Sequence, residues 1–417
     1  MSSIIAFAVV VLVWVLLSRK LETWSITAPI VLTVAGFAAS HLLGTGSNLG
    51  TESIRELIEV TLALVLFVDA SSIALRWFRS EWRYPVRLLG IGLPLTIVLG
   101  TVTAVVLFPG TDVWLLAVIG AALAPTDAAL GVSIIENPRI PLRLRQVINV
   151  ESGLNDGLVT PVVSFCIAIA AASVDGLKDR PFASAMVEVV IGVGVGFAIG
   201  EVSGRLLEAA RRRGWAVPLL VPVAPVVVAI ACYVFVVMIG GNGFVAAFVC
   251  GVGFGSATRR AAGRAATGQP SDDTDLLEFS HGLSALLGYA VWFIFGESVL
   301  GSLTTAHLGT AVVYAVLSLT VLRMLPVALS AVGLHLPWDT VVLVGWLGPR
   351  GLASIIFGIL AADVIGGDAG ELVLTVVATT VAMSVLAHGL SAGPLATWYS
   401  GRHPVDEQAD SASMERG

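Results

Sequence analysis

Apolar residues dominate the chain in runs of roughly 20, the length an α-helix needs to cross the hydrocarbon of a bilayer. About thirteen such runs can be drawn, at about 4–18, 25–43, 54–75, 86–108, 113–135, 147–172, 184–209, 217–239, 242–257, 276–296, 307–332, 339–362 and 371–395. Only Gly240-Gly241 separates the eighth from the ninth. The seventh is rich in glycine, at Gly192, Gly194, Gly196, Gly200 and Gly204. Small residues let helix backbones approach, which predicts close packing for that span. The pattern predicts an all-α polytopic membrane protein.

Composition strengthens this. The 417 residues are 56% hydrophobic and only 12% charged, with mean hydropathy +0.92, far more apolar than a soluble domain of this size. The net charge of −6 carries little weight, because charges collect between the runs, and it implies neither acidic substrates nor nucleic acid. Cys166, Cys232 and Cys250 fall in apolar runs without ligand spacing and read as small core residues. Met1-Ser2-Ser3 lacks the basic region of a secretory signal, so the first run reads as a retained span.

Positive charge orients the spans. Arg19 and Lys20 follow span one, and Arg76, Arg79, Arg83 and Arg87 follow span three. Arg139, Arg143 and Arg145 follow span five, and Arg205, Arg211, Arg212 and Arg213 follow span seven. Arg259, Arg260 and Arg264 follow span nine, and Arg323 is read with the end of span eleven. The intervening loops hold only Lys178 and Arg180. Every odd span then ends in the cytoplasm, with the N-terminus outside and the C-terminus inside. Residues 1–401 read as one transmembrane unit, 258–275 as a polar flexible loop, and 402–417 as a short disordered cytoplasmic tail.

Polar groups inside the apolar runs mark the chemistry. In span six, Glu151-Ser152-Gly153-Leu154-Asn155-Asp156-Gly157 precedes a long apolar stretch. On a helix Glu151 and Asn155 share one face, and Ser152 and Asp156 the adjoining one. Burying such groups in lipid without a purpose costs several kcal/mol; the plainer alternative is a capped helix end in water. Span five carries Ala124-Pro125-Thr126-Asp127, and a proline there frees backbone carbonyls. It is either a kink with Asp127 capping the lower half-helix, or a functional break, or both. Span twelve carries Gly348-Pro349-Arg350-Gly351. A mid-span arginine needs a buried anion or a route to water. Glu151 is the leading partner for Arg350, and snorkelling to the cytoplasmic surface is the alternative. Spans five and twelve are interrupted at corresponding places seven spans apart. That predicts two inverted six-helix repeats whose broken helices cross near the midplane, with span seven as linker. Asp69, in span three, either lines a cytoplasmic cation funnel or pairs with Arg76. Glu52, Glu56 and Glu59 read as exposed to water near the outer end of that span. His281 and His388 read as structural histidines near span ends.

These motifs resemble those of the cation:proton antiporters of the NhaP and NHE type. The likeness rests on Ala124-Pro125-Thr126-Asp127, on Asn149 through Gly157 and on Gly348-Pro349-Arg350-Gly351, within a 13-span frame covering most of the chain. It implies a dimerisation part and a six-helix core part interleaved in sequence, and a homodimer in the cell membrane. It implies that Asp156 binds cation and proton and that Asn155 marks an electroneutral exchanger. Thr126 and Ser152 supply oxygen near the ion, Asp127 supports the helix crossing, and Glu151 and Arg350 form a buried ion pair beside it. Some relatives carry a glutamate in span three that contributes through water; in this chain Asp69 is the acidic residue beneath the apolar run, and the glutamates of that span lie near its outer end.

The expected activity is exchange of a monovalent cation, Na+ foremost and K+ as the alternative, for a proton, without cofactor or enzymatic chemistry. A hard alkali cation prefers oxygen ligands, as divalent ions of that kind do. Protonated and cation-loaded Asp156 exclude each other, so a carrier that crosses only in those two states exchanges obligatorily. Rocking of core against dimer part supplies alternating access. A passive channel lacks its carbonyl-rich filter here. An intramembrane aspartyl hydrolase on Asp127 and Asp156 leaves Asn155 and Arg350 without a role.

Overall fold

The apolar runs are helices. The computed structural model describes residues 2–44, 52–72, 83–127, 130, 137, 140–174, 181–265, 273–303 and 306–403. In order these form α1 (Ser2–Thr23), α2 (Ala28–Leu43), α3 (Glu52–Ser72), α4 (Arg83–Leu107), α5 (Val113–Ala122), α6 (Leu142–Val174) and α7 (Pro181–Arg212). They continue as α8 (Ala224–Met238), α9 (Gly243–Ala265), α10 (Asp273–Ile294), α11 (Leu308–Ala331), α12 (Trp338–Trp346), α13 (Leu352–Ile365) and α14 (Gly367–Arg402). No strand occurs among the described residues. Among the described residues eight stretches are long and apolar enough to cross a membrane, and α2, α5 and α13 are shorter apolar helices. Large apolar side chains such as Leu16, Val106 and Leu206 are exposed, as a lipid-facing surface requires.

Local chemistry sets the ends. α2 begins at Pro29, whose fixed φ suits a first turn, and stops at Gly44, whose left-handed φ of 61° few other residues adopt. Asp112 caps α5 by accepting from the backbone N–H of Trp114 (2.9 Å) and Leu115 (3.2 Å). Two expected boundaries are corrected. α9 runs on to Ala265, through the expected loop, of which 266–272 lie outside the described residues. α14 continues to Arg402, past the expected end at about 395, because Pro394 is accommodated within the helix. The tail from 404 lies outside the described residues.

The chain divides into two interleaved units. One is drawn from 1–51, 74–155 and 289–417, the other from 52–73 and 156–288. In the second, α7 packs along α9 on the glycines that the sequence singles out. A Cβ at Gly192 would meet the Asn242 carbonyl at 2.7 Å, one at Gly196 would meet Ala246, and one at Gly200 would collide with the Cys250 carbonyl. Gly194 faces open space, so the ridge follows the fourfold spacing of one helix face. Gly200→Leu should therefore cost at least ~1–3 kcal/mol by overpacking. A lowered melting temperature and poor yield are expected, whereas Gly194→Leu should behave as wild type in the same melts. The three cysteines are buried and free.

In the first unit, α14 is largely buried, packed by α11, α13 and α5. α2 lies against a π-helical turn at Phe295–Val299, where Gly36 and Gly296 bring the backbones together. Here too spans five and twelve are broken. α5 stops at Ala122, and an irregular segment leads to Asp127. α12 stops at Trp346 and α13 starts at Leu352.

Candidate functional site

The two breaks touch. The backbone N–H of Asp127 donates to the Pro349 carbonyl (2.9 Å). Each break then answers the charge of the other. Asp127 Oδ2 accepts from the N–H of Leu352 (2.9 Å), the first residue of α13, where unpaired donors and the positive helix end favour a carboxylate. Asp127 thus caps the helix of span twelve; residues 128 and 129, directly after it, lie outside the described residues. Reciprocally, Arg350 Nη1 donates to the Ala124 (2.8 Å) and Pro125 (3.1 Å) carbonyls, which the break of span five leaves free. Gly351 is required because a Cβ would run into the Asp127 carboxylate. The Arg350 side chain is fully buried, and its backbone N–H donates to Ser384 Oγ (2.7 Å).

Glu151 does not form its ion pair with Arg350. It is bonded to Arg323 of α11, Oε1 to Nη1, at 2.6 Å with both side chains 4% exposed. Sequence reasoning paired Glu151 with Arg350, weighed only snorkelling of Arg350 against it, and counted Arg323 among the charges that orient the spans. Arg350 finds its acceptors in backbone carbonyls, which a sequence does not display. Arg323 is likewise not a surface charge; it lies within α11 beyond an interruption at Thr320. The available signal was Gly348, since a Cβ there would occupy the space of the Arg323 guanidinium.

Beside this pair α6 presents a polar cluster. Asn155 Nδ2 donates to Thr126 Oγ1 (2.7 Å), and Thr126 Oγ1 lies 3.3 Å from Ser152 Oγ. All three residues are buried, and Asn155 Oδ1 has no hydrogen-bond partner among the described residues. The next residue of the helix is Asp156, also buried, whose carbonyl accepts from the Thr160 hydroxyl (2.7 Å). Gly157 gives room to the Phe248 ring. The structure thus brings together Thr126, Ser152 and Asn155, with Asp156 adjoining in sequence, and joins Asp127 to Arg350 through the crossing. Among the described residues no three His, Cys, Asp or Glu side chains gather as a metal site. An ion bound here would draw on hydroxyl, amide and carbonyl oxygens and a carboxylate.

Asp69 is half-buried on α3, and Arg76, its alternative partner, lies outside the described residues. Two residues on, Ser71 borders a cavity of 560 Å³ also lined by Ser72, Phe254, Thr258, Arg259 and His281; Asp69 is not in its lining. His281 contacts the Leu277 carbonyl (2.9 Å) and Ser72 Oγ (3.3 Å). His388 is buried within α14 rather than near its end, with Nδ1 against Ser384. Glu52 and Glu56 are exposed, while Glu59 pairs with Arg55 (2.9 Å) and accepts from Tyr233 (2.8 Å).

The chain is similar to known proteins in sequence and in fold. The chain is 26% identical over 297 residues to a K(+)/H(+) antiporter NhaP of Alkalimonas amylolytica, a match covering 70% of this chain and 48% of that protein. It thus spans about half the length of that relative. It is 24% identical over 373 residues to a Na(+)/H(+) antiporter of Schizosaccharomyces pombe, covering 82% of this chain and 77% of that one. The fold matches the sodium proton antiporter MjNhaP1 from Methanocaldococcus jannaschii at pH 8, with a TM-score of 0.75 and 16% identity over 93% of this chain and 98% of that one. Residues 5–398 match the family model described as sodium/hydrogen exchanger, transmembrane, and the chain belongs to that family.

Proposed function

We propose that this chain is a secondary active transporter, not an enzyme, that exchanges one monovalent cation for one proton at Asp156 by alternating access. The observation that carries this reading is the buried cluster of Thr126, Ser152 and Asn155, followed in the next position of α6 by the buried Asp156. Desolvation favours a protonated carboxylate, and a cation favours the ionised one. Either occupant neutralises Asp156, so the empty, charged form is the costly one to carry across. Thr126 and Ser152 offer hydroxyl oxygen, and the open Asn155 carbonyl offers a neutral acceptor with no proton of its own. Asp127 and Arg350 are committed to holding the crossing. Asp69 serves as a funnel charge for incoming cations. The protein works as a homodimer in the cell membrane, residues 1–401 forming the transporter, with its N-terminus outside and its C-terminal tail in the cytoplasm.

Na+ is the favoured cation from the small hard-oxygen site; K+ is the second reading, because the Alkalimonas relative carries that name. Proteoliposomes with an imposed pH gradient, tested ion by ion, decide between them. The same vesicles test stoichiometry. With Asp156 alone exchanging, the rate should be unchanged when the membrane potential is clamped at different values. It should fall at low pH and again at high pH, and more cation should rescue the acid side. A strong dependence on potential would overturn one-for-one exchange and direct attention to Asp127 or Glu151.

A further inference from the structure

The end of α14 is fastened to the start of α12. His403, the residue after the last turn of α14, bonds through Nε2 to Asp339 Oδ2 at 2.7 Å. Its ring stacks on Tyr399 with centroids 4.6 Å apart, and the Tyr399 hydroxyl lies 2.9 Å from Thr340 Oγ1. Asp339 Oδ1 accepts from the N–H of Thr340 (2.9 Å) in the first turn of α12. Arg402 lies over both Trp398 (4.5 Å) and Trp338 (5.7 Å). Asp339 is buried, whereas the His403 side chain is 31% exposed and within reach of solvent protons. The titratable and charged groups facing His403 among the described residues are therefore Asp339 from α12 and Tyr399 and Arg402 from α14.

The polarity of the two helices favours a charged contact. Asp339 stands at the positive N-terminal end of α12 and His403 at the negative C-terminal end of α14. α12 is also the half-helix that ends at the crossing. It is held to α14 again where Trp346 Nε1 donates to Ser391 Oγ (2.9 Å), and at the break itself by the Arg350–Ser384 bond. A change at the Asp339 end therefore acts on an element whose other end sets the crossing.

We propose that the Asp339–His403 contact is a proton-sensitive clasp, through which pH on the side bearing the end of α14 regulates exchange. This rests on the antiport reading above. Histidine changes charge between pH 5 and 8 more readily than any other side chain type. Protonation turns a hydrogen bond from a neutral imidazole to the Asp339 carboxylate into an ion pair. The clasp then tightens in acid, holds α12 in register and favours exchange; it loosens as pH rises.

The test uses the full chain in proteoliposomes, with pH varied from 6 to 8.5 on the side of the C-terminus and fixed on the other. His403→Gln keeps a polar side chain but no titratable charge. The ratio of flux at pH 6.5 to flux at pH 8 should fall by up to about fivefold relative to wild type, the upper end for a partly exposed ion pair. The half-saturating cation concentration at pH 8 should not move. His403→Lys, charged throughout, should hold the acid-side rate at pH 8. Thermal melts in detergent provide an arm that needs no transport. The ion pair exists only while the imidazole carries its proton. The margin of wild type over His403→Gln should thus be larger at pH 6 than at pH 8, and Asp339→Asn should erase it. Flux profiles and melts of His403→Gln that parallel wild type at every pH would overturn the clasp. Absence of exchange in wild-type vesicles would overturn the antiport reading instead, leaving the melts to judge the contact.

Discussion

Asp156→Asn is expected to reduce cation-driven proton flux to background while the protein still folds. Asparagine nearly matches aspartate in size and keeps hydrogen-bonding capacity, so the buried position after Asn155 tolerates it sterically. What it loses is titration. It neither takes up a proton nor bears the charge that draws a cation, so both loaded states of the carrier disappear together. Flux under an imposed pH gradient, and cation binding measured by calorimetry on purified protein, should both be lost. An unchanged melting temperature and gel-filtration profile would place the defect in the site. Normal exchange by a folded Asp156→Asn protein would sink the central assignment. Asn155→Ala serves as the comparison: it removes the donor to Thr126 but leaves the carboxylate, so reduced exchange rather than none is expected.

The second large effect concerns stability. Glu151 and Arg323 form an ion pair almost wholly removed from solvent. Truncating either partner leaves the other charge buried, at a cost of about 3–5 kcal/mol. Glu151→Ala and Arg323→Ala should each lower the melting temperature strongly. The double variant should lose less than their sum, with a coupling of roughly 0.5–3 kcal/mol. Arg350→Ala should also destabilise, by stranding the Ala124 and Pro125 carbonyls, but its losses should add to those of Glu151→Ala much more nearly. Additive losses for Glu151 and Arg323 would show that the contact has no energetic weight.

What the sequence reveals follows from where the physics is local. Span positions follow from apolar length, and even the short α2, α5 and α13 are visible as apolar runs. The breaks are legible at Pro125 and at Gly348-Pro349, since proline removes a helix donor wherever it stands. The glycine ridge of α7 is legible from its fourfold spacing. Partnership is not. Whether Glu151 meets Arg323 or Arg350 depends on how three spans turn their faces, and carbonyls freed by a distant proline compete for one of the arginines. The clasp at His403 escapes notice because its two residues lie 64 positions apart and each looks like a loop residue at the edge of an apolar run. The end of α14 is placed too early because the apolar run ends at about 395 while the helix itself continues to Arg402.

The reciprocal capping at the crossing has a consequence for how the protein is made. The Pro125 carbonyl and its Arg350 donor are separated by 225 residues, as are Asp127 and the Leu352 N–H. At roughly 5–20 residues per second a ribosome needs about 10–45 s to cover that distance. Throughout that interval the Ala124 and Pro125 carbonyls lack their Arg350 donor and Asp127 lacks the Leu352 N–H. The fifth span is therefore a poor substrate for release into lipid, and should remain beside the insertion machinery or in a wet cleft until the twelfth span emerges. Assembly of the first unit is thus tied to completion of nearly the whole chain. A nascent chain stalled before Trp338 should be a target for membrane quality control, whereas one stalled a few residues after α13 has left the ribosome should not.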